Sequence, residues 1–346
     1  MKLATQHNGS RDGRLLVVSR DMQHAIAVPN ISPTLQYAIE NWQHCAPLLN
    51  DRYQQLNLAN DPNNPLNNPL NNPPNDNIKN MNNIIDFTQC KLMSPLPRCY
   101  QWVDGSAYVN HVELVRKARG AEMPDSFWQS PLMYQGGGDS FLGPTENIPL
   151  MNVDWGLDLE AEIAIITDDV AEGTSVKNAE QHIKLFMLVN DISLRNLIPE
   201  ELAKGFGFFQ SKPSSSFSPV AVTADELGDA WNGKKLHLPL TSHINDMLFG
   251  KPNAGIDMTF DFPTLVSHAC KSRRLIAGSI IGSGTVSNYD RSNGSSCIAE
   301  KRMLEKIATG SMVTPFLTDG DNICIEMFDN NGVSIFGAIK QRVVSQ

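Results

Sequence analysis

From about Lys91 onward, short apolar runs rich in β-branched residues alternate with glycine- and proline-bearing turns: EAEIAIIT, KLFMLVND, SPVAVT, RLIAGSIIGSGTVS, DNICIEMF and SIFGAI. Runs of this length, closed at both ends by turn residues, suit strands better than helices. Helical periodicity is confined chiefly to Ala179–Phe186, Asp261–Lys271 and Glu300–Ile307. The pattern predicts an α+β, β-rich fold. With 346 residues the chain has room for one large domain or for a small module plus a larger one.

The opening stretch favours the second arrangement. LLVVS (Leu15–Ser19) and AIAVP (Ala25–Pro29) read as strands joined by the polar turn Arg20–Gln23, and Ser32-Pro33 reads as a cap with proline at the first helical position. Helical spacing follows to about Leu58, through Leu35, Ala38, Ile39, Trp42, Leu48 and Leu49. The stretch from Asn57 to Asn83 contains NNPLNNPLNNPPNDN, which offers almost nothing to a core, so it reads as a surface insertion or linker. The expected division is a small module over 1–83 and a catalytic domain over 84–346.

The net charge of −9 argues against broad electrostatic binding to nucleic acid or an anionic membrane. The six cysteines are scattered without a C-x-x-C pair, which predicts reduced thiols rather than a disulfide scaffold or structural zinc. The start MKLATQHNGSRDGR lacks the apolar stretch of a signal peptide, and no later run reaches bilayer-spanning length. The expectation is a cytoplasmic protein.

Chemistry concentrates in three segments. In LDLEAEIAII, strand alternation puts Asp158, Glu160 and Glu162 on one face and Leu159, Ala161 and Ile163 on the other. Same-face neighbours lie roughly 6.8 Å apart, close enough to converge on one cation. The face could also be an exposed acidic edge. Carboxylates beside so apolar a strand nevertheless repel one another unless a positive charge intervenes, and a hard cation such as Mg²⁺ suits them. In KLFMLVNDISLRN, an apolar strand empties into Asn190-Asp191, a third carboxylate. Arg195 would share its side after one helical turn, either as a salt bridge or as a bidentate clamp on a substrate carboxylate. In QWVDGSAYVNHVELVRKARG, Asp104 and His111 flank a turn-like stretch, and His111 is a candidate general base. G-x-S-x-G, Walker A and H-E-x-x-H motifs are absent; GSGT at Gly282–Thr285 marks a tight backbone approach.

Taken together, E-x-E on a strand, N-D-x-S-x-R and a downstream S-G-T-x-S resemble the fumarylacetoacetate hydrolase family from about Tyr100 to Gln341. The fit is best to its bacterial fumarylacetoacetate-cleaving members. The resemblance implies a small N-terminal β-barrel-like module and a mixed β-sandwich or roll catalytic domain, usually in a homodimer. Its metal carboxylates fall on Asp104, Glu160, Glu162 and Asp191, holding Mg²⁺, with Ca²⁺ or Mn²⁺ as alternatives. His111 matches the water-activating histidine and Glu300 the glutamate that orients it. Arg195 matches the substrate-holding arginine, Lys212 the lysine that stabilises the leaving carbanion, and Thr285 a threonine of the pocket. Two positions depart: Ile198 replaces a glutamine, and Lys212 aligns only with a one-residue shift. The implied reaction is hydrolysis of a carbon–carbon bond in a diketo acid, fumarylacetoacetate giving fumarate and acetoacetate in tyrosine and phenylalanine breakdown. Acylpyruvate hydrolysis, oxaloacetate decarboxylation, diketo-acid tautomerisation and a non-catalytic cation-stabilised binding protein are the alternatives.

Overall fold

The computed structural model describes residues 1–60, 83–118, 120 and 122–346. The asparagine–proline repeat therefore lies outside the described residues; Asn57–Asn60, at the start of the stretch that contains it, form the last turn of a helix. The opening part is a meander of β1 (Lys2–Gln6), β2 (Arg14–Val18) and β3 (His24–Ala27). Helices α1 (Leu35–Glu40) and α2 (Trp42–Asn60) follow, then β4 (Ile84–Asp86), which returns to β3. The α1 cap is Thr34, whose side chain accepts from the Tyr37 N–H; Ser32 instead donates its hydroxyl to the Thr34 carbonyl. Strand β1 carries no clear apolar alternation, because Lys2 and Thr5 are buried polar residues. Lys2 donates to the carbonyls of Ser334 and Ile335, and burial pushes its amine down to about 8.

The rest runs through β5 (Leu92–Met93), β6 (Trp102–Gly105), α3 (Val109–Ala118), β7 (Met133–Gly136), β8 (Ile148–Leu150), β9 (Leu157–Asp158), β10 (Ala161–Thr167) and β11 (Ile183–Asn190). Then come β12 (Ser193–Leu194), α4 (Ile198–Ala203), β13 (Ser216–Phe217), β14 (Ala221–Val222), β15 (Leu240–Ile244), β16 (Met247–Gly250), α5 (Phe262–Ala269), β17 (Ile280–Gly282), α6 (Ile298–Thr309), β18 (Asn322–Met327) and β19 (Ile339–Ser345). The main sheet has 12 strands along the path β4-β3-β2-β1-β14-β11-β10-β17-β6-β7, with β13 also on β11 and β5 also on β1. A 5-stranded sheet, β16-β15-β18-β19-β8, and the pair β12-β9 complete it. The fold is α+β and strand-rich, as the sequence predicts. Among the described residues no closed N-terminal barrel is seen: β1 pairs with β14, and the meander continues into the large sheet.

Central strands β10 and β11 are covered on both sides. Ile163, Ile165, Phe186 and Leu188 face one apolar cluster. Ala164, Ile166, Leu185, Met187 and Val189 face a second cluster that includes Leu3, Val17, Ile39 and Tyr53 of the opening part. Two-sided burial explains why both segments read as unbroken apolar runs. It also overrides the helix expected over Ala179–Phe186: after a short helix (Val176–Ala179) and a single tight turn, Ile183 onward is strand, held to β10 along its length. SIFGAI contributes a bridge at Ser334 and only its last residue, Ile339, to the strand that follows. Helices α5, capped by Asp261 on the Thr264 N–H, and α6 form where periodicity places them.

Candidate active site

Four neighbouring strands bring the carboxylates together. Strand β6 runs parallel to β17, with Asp104 beside Gly282; Gly282 pairs with Ala164 of β10; and Glu162 lies one same-face step from Ala164, opposite Val189 of β11. Asp191 follows the last residue of β11. Ligand atoms of Asp104, Glu162 and Asp191 all lie within 4.8 Å of one another, and all three residues are buried. The glycine loop makes this approach possible. A Cβ on Gly282 would sit 2.3 Å from Asp104 Oδ1, and Gly284, at φ +74°, donates its N–H to that same oxygen at 2.8 Å.

The three acids are compensated unequally. Asp191 accepts from Tyr134 (2.6 Å), Lys212 (2.6 Å) and Ser215 (2.7 Å). Neither oxygen of Glu162 has a hydrogen-bond donor among the described residues, although both are buried. Burial, and then the charges of Asp104, Asp191 and Glu160, push Glu162 well above the usual carboxylate range. Burial and Asp191 push Asp104 up to about 7. A buried carboxylate without a donor, converging with two others, suits a hard divalent cation and little else. The donor set therefore fits the implied metal.

Glu160 stands beside this trio. Its Oε1 accepts from Arg195 Nη2 and Thr285 Oγ1, both at 2.7 Å; its Oε2 accepts from Lys212 Nζ at 2.5 Å and Ser193 Oγ at 3.0 Å. Burial alone would raise its pKa, but Arg195 and Lys212 hold it well below the ordinary value. Lys212 bridges Glu160 and Asp191, with its nitrogen 5.0 Å from the centre of the Tyr134 ring. Burial disfavours its charge, but the two carboxylates outweigh that and keep it an ammonium. Arg195 does not reach its place by a helical turn. Ser193-Leu194 pairs with β9 instead, and Arg195 holds Asp158 (Nε, 2.8 Å) as well as Glu160. Asp158, on the same acidic stripe, also accepts from the N–H groups of Ile298 (2.7 Å) and Ala299 (2.9 Å) at the start of α6.

His111 sits on a helix, not in the turn-like stretch read from the sequence: Asp104 belongs to β6, and α3 opens at Val109. Helix α3 packs against α6, and His111 Nδ1 meets Glu300 Oε2 at 2.7 Å. That oxygen also accepts from Ser287 (2.7 Å), and Arg291 lies 3.4 Å from the other. Glu300 is fully buried, which would raise its pKa, yet the hydrogen bond and charge of His111 hold it below the ordinary value. An ionised Glu300 can only accept, so in the neutral imidazole it is His111 Nδ1 that carries the proton and Nε2 that offers the lone pair. His111, Asp104, Tyr134, Glu160, Arg195 and Lys212 line one cleft of about 170 Å³. Sequence reasoning missed Tyr134, Ser287 and Arg291. Tyr134 lies in the short strand MYQG with no local pattern to mark it, whereas Ser287 sits in the S-G-T-x-S motif itself and could have been weighed.

Residues 101–344 match the family described as fumarylacetoacetate (FAA) hydrolase, C-terminal, and residues 1–98 match fumarylacetoacetase N-terminal domain 2. Oxaloacetate tautomerase YisK of Bacillus subtilis (strain 168) is 28% identical over 222 residues, 63% of this chain and 68% of that protein. Among solved structures, maleylpyruvate hydrolase of Sphingobium sp. SYK-6, in complex with manganese(II) and pyruvate, superposes with a TM-score of 0.64 at 18% identity, covering 100% of this chain and 99% of that one. Fumarylacetoacetate hydrolase of psychrophilic Exiguobacterium antarcticum gives 0.62 at 19% identity, covering 100% of both. The chain belongs to the fumarylacetoacetate hydrolase family of enzymes.

Proposed function

We propose that this enzyme hydrolyses a carbon–carbon bond of a diketo acid at a divalent cation held by Asp104, Glu162 and Asp191, with Glu160 beside them. The observation that carries the reading is the His111–Glu300 pair at the edge of the carboxylate cluster. A cation there would polarise the ketone under attack and spread the charge that develops when the bond breaks. His111 Nε2 takes a proton from water, whose oxygen adds to the acyl carbonyl carbon. As the carbonyl re-forms, the carbon–carbon bond breaks and its electron pair moves onto the leaving keto acid as an enolate. The proton on His111 then returns to that carbon. Lys212, kept cationic by Glu160 and Asp191, stabilises the enolate, and Arg195 and Thr285 hold Glu160 in place while lining the cleft for a substrate carboxylate.

Mg²⁺ is the first cation to test, then Mn²⁺ and Ca²⁺, and fumarylacetoacetate is the first substrate, followed by acylpyruvates. Loss of the enol ultraviolet absorbance that requires the cation is the expected result. No cation-dependent loss with either substrate class would overturn the hydrolase reading. Tautomerisation is the second reading, favoured by the 28% identity to an oxaloacetate tautomerase. It would interconvert keto and enol forms of oxaloacetate without cleavage, which product analysis distinguishes.

A further inference from the structure

The loop from Ser287 to Arg291 grips the His111–Glu300 pair from behind. Helix α3 presents Asn110 and Glu113 three residues apart, on one face, with His111 between them in sequence. Asn110 Nδ2 donates to Ser287 Oγ at 2.9 Å, and Tyr289 Oη donates to Glu113 at 3.1 Å, so the loop holds the opening turns of the helix at two points. The loop is itself tied down. Asn288 Nδ2 donates to the carbonyls of Asn253 and Ile256, both at 3.0 Å, and the Lys251 N–H, just past β16, donates to the Asn293 carbonyl at 2.7 Å.

Inside this grip the Ser287 hydroxyl has one role open to it. An ionised Glu300 can only accept, so the Ser287 proton goes to its Oε2, 2.7 Å away. Arg291 Nη1, at 3.1 Å, can only donate, and it takes a lone pair of the same hydroxyl beside Asn110. The carboxylate thus accepts from Ser287 and His111 on one oxygen, with Arg291 3.4 Å from the other. Charge matters as much as geometry. Glu300 is fully buried, and a neutral imidazole brings it no positive charge, so Arg291 is the cation that faces it while His111 waits as a base. Without that partner a buried carboxylate is costly, and it would relieve the cost by keeping a second proton on the imidazole or one on itself.

We propose that Ser287 and Arg291 are positioning residues for this reaction: they fix the rotation of Glu300 and compensate its charge, so that His111 offers the cleft an open Nε2 lone pair. Neither residue lines the cleft, so each acts through the pair. The inference rests on the hydrolase reading above and deepens it.

The test measures kcat, KM and melting of the full chain with Mg²⁺, and the His111 tautomer by nitrogen NMR on isotope-labelled histidine, with His111→Ala identifying the signal. Arg291→Met should lower kcat by roughly 10–100-fold with KM nearly unchanged, and Arg291→Lys should recover most of the loss. Ser287→Ala should act in the same direction. In a His111→Ala background neither substitution should lower kcat further, because each works through that ring. The neutral ring should carry its proton on Nδ1 in the parent and lose part of that preference in Ser287→Ala and Arg291→Met. Arg291 is 27% exposed, so its variants keep the result readable where Ser287→Ala fails to fold. Parental kcat in Arg291→Met, or an equal loss with and without His111, would overturn the assignment. No turnover of any diketo acid by the parent would overturn the hydrolase reading instead, and the tautomer shift in the variants would then decide the positioning on its own.

Discussion

At the scale of single residues, the site is organised by unequal compensation of like charges. Glu160 is ringed by donors, while Glu162 has none among the described residues. Replacing Glu162 with Gln should therefore raise the melting temperature of the cation-free protein by a few °C and abolish the further rise on adding Mg²⁺. An unchanged Mg²⁺ response would remove Glu162 from the ligand set. Asp104 adds a pH dependence. Its pKa is raised to about 7 in the fold, so the native state keeps a proton that the unfolded chain loses near its ordinary value. Cation-free stability should fall as pH rises from about 4 to about 7, and cation affinity should rise over the same window, because the ion displaces that proton. Melting scans with and without Mg²⁺ between about pH 5.5 and 7.5 check both trends. His111→Ala should lower kcat by roughly 10²–10⁴ with cation affinity unchanged, measured by turnover and calorimetry on one preparation. The strand spacing of Glu160 and Glu162 was legible because alternation on a strand is strict. Their division of labour was not, since it depends on Arg195 and Lys212, which reach them across 35 and 52 residues of chain.

At the scale of elements, α6 is the part that connects fold to chemistry. Asp158 takes the N–H groups of Ile298 and Ala299, and the Cys297 sulfur accepts from the Glu300 N–H at 3.4 Å, so the first turn of the helix is satisfied from outside. The same Asp158 carboxylate anchors Arg195. Asp158→Ala should cost about 1–2 kcal/mol through the lost cap and leave Arg195 half-paired. It should also depress activity, because Glu300 sits at the third position of that helix. Melting and kcat measured together test this; a stability loss with full activity would separate the cap from the site. Helices α5 and α6 were legible from periodicity. The boundary of β11 was not: a run such as KLFMLV fits a buried helix or a buried strand equally well until its partner, β10, is known.

At the scale of the whole molecule, the opening part serves as the back wall of the catalytic sheet. Val17 belongs to the same buried cluster as Leu185, Met187 and Ala164, on the strands that carry Glu162 and lead to Asp191, while Leu16 and Val18 feed the other cluster. Such interleaving was invisible in sequence, where the asparagine–proline repeat suggests two separable modules, because nothing local marks the pairing of β1 with β14 some 219 residues away. Two parts that share a core should unfold together. Val17→Asp would bury an unpaired charge in that core, costing on the order of 3–5 kcal/mol and lowering the melting temperature by roughly 10 °C. Scanning calorimetry should record a single transition in the parent and in the variant, with the Mg²⁺-dependent increment moving down alongside it. Two transitions, of which the variant shifts only one and leaves the Mg²⁺-dependent one in place, would mean that the opening part and the catalytic part are energetically independent despite their shared sheet.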